Sequence, residues 1–359
     1  MRTALTRTTA VTGVLVTLLA GTATAAAREP RWTTSQAGRL PEAYLHSVTA
    51  PGRDAAWAAG QQTGATGRAH GVVLRWDGAR WRRVPAAELP KVNYWYSVSA
   101  SSPRNVWVYG WSQTGAAVAR FDGTRWREVP MPEPPGGGSV SYAELAVVRG
   151  ATWLAGETWV ARRGAGGWET TALPPLVSIK AIDARTAADA WLAGYAVTAD
   201  GSVQPYTSHW DGEEWTPVPM PGNGMAIQDI WAESPTSVWV TGGAQRGEEA
   251  VPAVLHWDGT GWQDVGLPDE GQITLAISGG GGEVWVTGDP EGFEGPPMYW
   301  RHDGTGWTTV AGELPAGGRA DQMTALAPIR GTDRHWAVGA YTVDEGQVAH
   351  MFELIQRSD

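Results

Sequence analysis

Three observations predict that this 359-residue chain is all-β, a seven-bladed β-propeller of four-stranded antiparallel blades. The first is a repeat. Trp-x-x-Gly recurs at Trp57/Gly60, Trp107/Gly110, Trp153/Gly156, Trp191/Gly194, Trp239/Gly242, Trp285/Gly288 and Trp336/Gly339, roughly 40–50 residues apart, which is the period of a four-stranded blade. The second is an Asp-Gly pair at Asp77, Asp122, Asp211, Asp258 and Asp303, the short-range mark of a tight hairpin, with a Trp just after it. The third is apolar alternation with period two and no 3.6-residue rhythm.

The N-terminus reads as an export signal. Arg2 and Arg7 precede an apolar stretch at residues 10–20, and Ala23-Thr24-Ala25 or Ala25-Ala26-Ala27 fits a small-residue cleavage site. The stretch is short for a membrane span, and no later segment matches it. Residues 1–27 are therefore expected to be removed, leaving 28–359 as a single secreted, extracellular domain.

Each repeat then reads as four short strands. In the second unit these are residues 96–100, 105–109 (ended by Gly110), 117–121 and 126–129, with Pro130 stopping the last. Pro85, Pro130 and Pro219 end outer strands, where a residue without an N–H blocks pairing with another sheet. The third unit is degenerate, with Gly164-Ala165 where Asp-Gly is expected. The seventh has only three strands. Arg31-Trp32-Thr33-Thr34 parallels Gly306-Trp307-Thr308-Thr309, so residues 31–36 are expected to supply the missing outer strand and latch the ring.

Composition bounds the function. The net charge is −10, and loss of the two leader arginines makes it more negative, which argues against nucleic acid or an anionic membrane as partner. With no Cys, stability must come from packing. The chain holds 22 Trp. The Trp-x-x-Gly set, the post-turn set with Trp32, and Trp76, Trp210 and Trp257 before the turn aspartates read as blade core, as do Trp231 and Trp300. The aromatics that break the pattern fall on the face carrying the loops between strands two and three and between blades. Trp95, Trp111, Trp159, Tyr195, Phe293 and Tyr341 are expected to ring that face and contact ligand. The same loops hold an excess of acids, among them Glu248, Glu249, Asp289, Glu291, Glu294, Asp344 and Glu345, which suggests a cationic partner or Ca²⁺. No segment has the alternation of a calcium loop, so no cofactor is expected.

Catalytic constellations are sparse. His209 and His256 occupy one repeat slot, which points to structure. No metal-binding His spacing, nucleophile elbow or phosphate loop is present. Tyr44 and His46, near the central mouth, are the least explained polar pair. The copies RWDGARW, RFDGTRW, HWDGEEW, HWDGTGW and RHDGTGW resemble the repeats of secreted bacterial propellers of the Asp-box and Kelch-like kind. The turn departs from the Asp-box, with Trp four rather than five positions after Asp and no preceding Ser/Thr, so sialidase chemistry does not carry over. The expectation is a monomeric, non-catalytic propeller that binds a glycan or an extracellular protein through its acidic, aromatic loop face. The rivals are a polysaccharide-active enzyme with carboxylates at the central channel and a purely structural scaffold.

Overall fold

A computed structural model describes residues 30–137, 140–222, 224–246, 249–268, 274–288, 295–346 and 348–359. It has seven sheets of four antiparallel strands each, arranged as blades around a central channel. The channel is walled by the first strand of every blade: Ala43–Gly52, Tyr94–Ser102, Ala143–Val148, Val177–Thr186, Ala226–Ser234, Thr274–Gly280 and Gly318–Pro328. These strands start at one face, here the upper face, which also carries the loops between strands two and three. The lower face carries the Asp-Gly turns.

Ring closure is as expected from the sequence. The strand Trp32–Pro41 pairs antiparallel with Val348–Ser358, from Trp32↔Ser358 to Pro41↔Phe352, and so becomes the outer strand of blade 7. Its register slips twice, and the buried Glu353 carboxylate sits opposite the second slip, accepting from Gln36 Nε2 and the Arg39 and Leu40 amides. Trp32 is 1% exposed and stacks on Tyr299 at 4.1 Å.

The repeated Trp pairs are wedges between blades. A post-turn indole packs against the Trp-x-x-Gly indole of the preceding blade in Trp107–Trp168, Trp153–Trp215, Trp191–Trp262, Trp285–Trp32 and Trp336–Trp81, at centroid distances of 5.1–6.3 Å. Each such ring removes about 150–250 Å² from water, a gross upper bound of roughly 4–6 kcal/mol. On the other side of the wedge lies the residue paired across the sheet. It is Arg75 over Trp57, Arg120 over Trp107, Arg162 over Trp153 and Arg357 over Trp336, whereas His209 and His256 fill the slot over Trp191 and Trp239. The two repeated histidines are thus stacking partners of the scaffold.

The Asp-Gly turns form as expected. Asp122 Oδ1 accepts the amides of Thr124 and Arg125, and Gly123 takes φ of 100°. The glycine of Trp-x-x-Gly has a different role from the one expected. In blades 2 and 4 it does not end the second strand, which runs Asn105–Ser112 and Asp189–Val197, whereas in blade 3 the strand Ala151–Gly156 does end there. A Cβ at Gly60, Gly110, Gly194, Gly242 or Gly339 would overlap the carbonyl oxygen of Tyr44, Tyr94, Ser178, Ala226 or Gln322 on the inner strand. Immediately after that approach the inner strand bulges by one residue. The register jumps between Leu45 and Ser47, Trp95 and Ser97, Ile179 and Ala181, Ile227 and Asp229, Thr274 and Ala276, and Met323 and Ala325. Blade 3 pairs without a slip, and a Cβ at Gly156 would meet the Trp159 ring instead of a carbonyl.

Candidate functional site

A bulge leaves one residue unpaired and re-aims its side chain. The six bulged residues are His46, Tyr96, Lys180, Gln228, Leu275 and Thr324, and all six line one cavity of about 410 Å³ in the channel. Blade 3 contributes Tyr142 and Glu144 to the same wall. The scaffold repeats while this position changes chemistry from blade to blade.

The upper mouth is aromatic on the side of blades 1 to 4. Tyr44 and His46 lie at 5.0 Å, His46 and Tyr96 at 5.5 Å, Tyr94 and Tyr96 at 5.7 Å, and Tyr96 and Tyr142 at 6.1 Å. Lys180 Nζ stands 5.5 Å from the Tyr142 ring and 5.8 Å from Tyr195, and 3.7 Å from Glu157. His46 Nε2 is buried with no hydrogen-bond partner, and burial lowers the imidazole to about 4, so it is neutral at physiological pH. The lower end differs. Trp231, half-buried rather than core, packs its ring on Gly279, while Arg185 Nε donates to the Glu233 carbonyl and Arg330 Nη1 to the Ser101 carbonyl across that mouth. A separate cavity of about 530 Å³ opens at this lower end, lined by Arg185, Trp231, Glu233 and Arg330.

Three carboxylates stand in the wall. Asp183 accepts the Ala184 and Ala232 amides, and Asp229 accepts those of Ile230 and Ile277, so each ties its inner strand to that of the next blade. Ser97 and Ser99 make the same tie to Leu145 and Val147. Glu144 accepts from Tyr142 Oη at 2.9 Å. Burial pushes Glu144 up to about 7, and burial with the neighbouring Glu144 and Asp183 charges pushes Asp229 up to about 8.

These shifts make stability depend on pH. Glu144 and Asp229 bind protons more tightly folded than unfolded, so their contribution is complete below their ordinary values, about 4.5 and 3.8, and is lost as pH rises through 7 to 8. His46 and His335, both lowered to about 4, act oppositely and lose stability as pH falls from 6.5 toward 4. From about pH 4.5 to 6.5 the two pairs oppose each other, so the melting temperature is expected to change little there and to fall as pH rises above about 6.5 toward 8. A scan from pH 4 to 9 in one buffer series checks it, and a profile that keeps rising to pH 9 contradicts the assignment.

The aromatics singled out by sequence are split by the structure. Trp111 is half-buried as the cross-strand partner of Tyr94, and Tyr195 is half-buried beside Lys180, so these two border the aromatic arc. Trp95 is 1% exposed between blades 1 and 2, Trp159 is 5% exposed over Gly156, and Tyr341 is 5% exposed, stacked on Phe352 inside blade 7. These three were expected in loops and are interior. For Tyr341 the reason is that the strand His335–Glu345 continues beyond the repeat glycine; Trp159 opens the third strand of blade 3, Trp159–Gly164, with its ring over Gly156, and Trp95 stands at its strand's start, over Gly110. Phe293 lies outside the described residues, as do Glu248, Asp289, Glu291 and Glu294. Asp344 faces Arg319 at 3.4 Å. Sequence reasoning missed Tyr94, Tyr96, Tyr142, Glu144 and Lys180. A positional signal exists for two of them: Tyr96 and Lys180 stand fourteen places before the repeat glycines Gly110 and Gly194, as His46 does before Gly60.

Among the described residues no group of His, Cys, Asp and Glu is arranged to hold a metal ion, and no helix is long and apolar enough to cross a membrane. No family model matches the chain, and no curated protein matches it in sequence. Solved structures do. The WD40 β-propeller domain of Doa1 superposes with a TM-score of 0.59 at 10% identity, over 90% of this chain and 96% of that one. The extracellular domain of a one component system from B. thetaiotaomicron gives 0.58 at 8% identity, over 89% of this chain and 39% of that one. A fungal lectin from Aleuria aurantia, a six-bladed propeller, gives 0.45 at 15% identity over 80% and 97%, too loose a likeness to inform the ligand. Likeness at this identity speaks for architecture alone, and the architecture is a seven-bladed β-propeller.

Proposed function

We propose that this protein is an exported, non-catalytic binding propeller that takes a sugar residue of a glycan into the upper mouth of its channel. The observation that carries the reading is the set of bulges, which turns one residue from each of six blades into the channel and gathers Tyr96 and Lys180 beside Tyr142 of blade 3. Aromatic faces stack on the C–H faces of a pyranose. The neutral His46, Glu144 and Gln228 supply donors and acceptors for its hydroxyls. A cavity of about 410 Å³ fits a small ligand or a chain end better than a flat protein surface. Export rests on the leader-like residues 1–27, which lie outside the described residues.

The enzyme alternative needs two free carboxylates. Asp183 and Asp229 each hold two backbone amides, which favours a structural role for both. A glycan array with the purified protein, followed by titration of its hits, tests the reading. Tyr96→Ala with Tyr142→Ala is expected to weaken binding by about tenfold or more, since an aromatic contact contributes roughly 0.5–1.5 kcal/mol. Release of new reducing ends from a bound polysaccharide would instead establish the enzyme.

A further inference from the structure

A second cavity, of about 900 Å³, opens between blades 1 and 2 on the same upper face. Its walls are the loop after the second strand of blade 1, the connection from Val84 to Asn93, and the turn at residues 112–114 of blade 2. Its floor is apolar, with Val73, Val84, Leu89, Val92 and the edge of Trp95, against which a Cβ at Gly71 would stand 2.5 Å away.

The charge of this cavity is opposite to that of the chain. Arg68, His70, Arg83 and Lys91 line it, and no Asp or Glu does; Glu88, on the neighbouring 3-10 turn Ala86–Glu88, is outside the lining. Elsewhere several cations stand against carboxylates, as in Arg82–Asp77, Arg127–Asp122, Arg185–Asp189, Arg301–Glu283 and Arg319–Asp344. Among the described residues none of Arg68, Arg83 and Lys91 makes an ion pair, and Arg83 donates to Gln62 Oε1 at 2.9 Å. Four donors converge on a concave space in a protein of net charge −10, where a cationic patch is not a by-product of composition. Asn93, Ser112, Gln113 and Thr114 add neutral donors and acceptors around the same rim.

We infer that this cavity is a binding site for a ligand carrying an oxyanion, either the carboxylate of an acidic saccharide or a free phosphate-type anion. It is separate from the channel mouth and stands whether or not the channel takes sugar. Tyr94 is the wall between the two, lining this cavity and stacking on Tyr96 of the other, so an acidic oligosaccharide can reach from one into the other.

Calorimetric titration of the full chain with an oligouronate, its neutral counterpart and inorganic phosphate tests the site. Arg68 and Lys91 are exposed loop residues, so Arg68→Ala with Lys91→Ala leaves the fold intact, and an unchanged melting curve verifies that. The oligouronate is expected to bind the wild type, to weaken at raised salt, and to weaken by about tenfold or more in the double variant, with the neutral sugar unaffected by those substitutions. Phosphate binding that is lost in the same variant, without uronate binding, supports the site and assigns it to a small anion. Anion binding unchanged in the double variant, lost only in Tyr96→Ala, or absent for both anions overturns the inference.

Discussion

Trp32→Ala is expected to destabilise the protein by about 3–5 kcal/mol, the cost of truncating a fully buried aromatic ring. The melting temperature should fall by at least about 5 °C. Trp32 is the wedge of blade 7, stacked on Tyr299 and edge-on to Trp285 of blade 6. Its loss opens a void at the seam where the two ends of the chain meet. Deleting residues 30–41 should be worse. Glu353 would lose the Gln36, Arg39 and Leu40 donors while remaining in the sheet, and the Val348–Ser358 strand would become an unpaired edge. Melting curves with light scattering check both, since an open edge invites aggregation. An unchanged melt in the deletion would mean that the strand is an appendage and the ring closes without it.

The second large effect is expected at a glycine. Gly194→Ala places a Cβ on the Ser178 carbonyl oxygen, and backbone cannot yield there as a flexible side chain could. The inner strand of blade 4 must shift, and with it Lys180, the bulged residue two positions on. A destabilisation of about 1–3 kcal/mol is expected from forced overpacking, together with weaker ligand binding at the channel. Gly164→Ala is the control, because nothing lies within 4 Å of its added methyl. Equal melting temperatures for the two variants would contradict the role given to the repeat glycine.

That glycine marks how far the sequence could be read. Features with a period were legible: Trp-x-x-Gly set the blade count, Asp-Gly set the hairpins, and Trp32-Thr33-Thr34 betrayed the closing strand because it copies residues 307–309. The bulges were not legible, because an inserted residue on a strand has no composition of its own. His46, Tyr96, Lys180, Gln228, Leu275 and Thr324 share only a register. Taking the repeat glycine as a strand end places Tyr341 in a loop, whereas the strand continues through it; Trp159, beyond a strand that does end at Gly156, opens the next strand and packs its ring over that glycine. His46 stands out in the sequence as a polar residue that no repeat explains, and it lines the channel cavity. The acidic excess is real as a total but not as a local map, since the cavity between blades 1 and 2 has basic residues and no carboxylate in its lining.

The central claim is that function sits where the inner strands bulge into the channel. A crystal structure of the protein with a glycan selected from an array tests it most directly. Sugar density at the upper mouth, within hydrogen-bond distance of Tyr96 Oη, Lys180 Nζ or Glu144, is the predicted result. Density confined to the outer loops or to the lower face, with the channel mouth free of ligand, would contradict it.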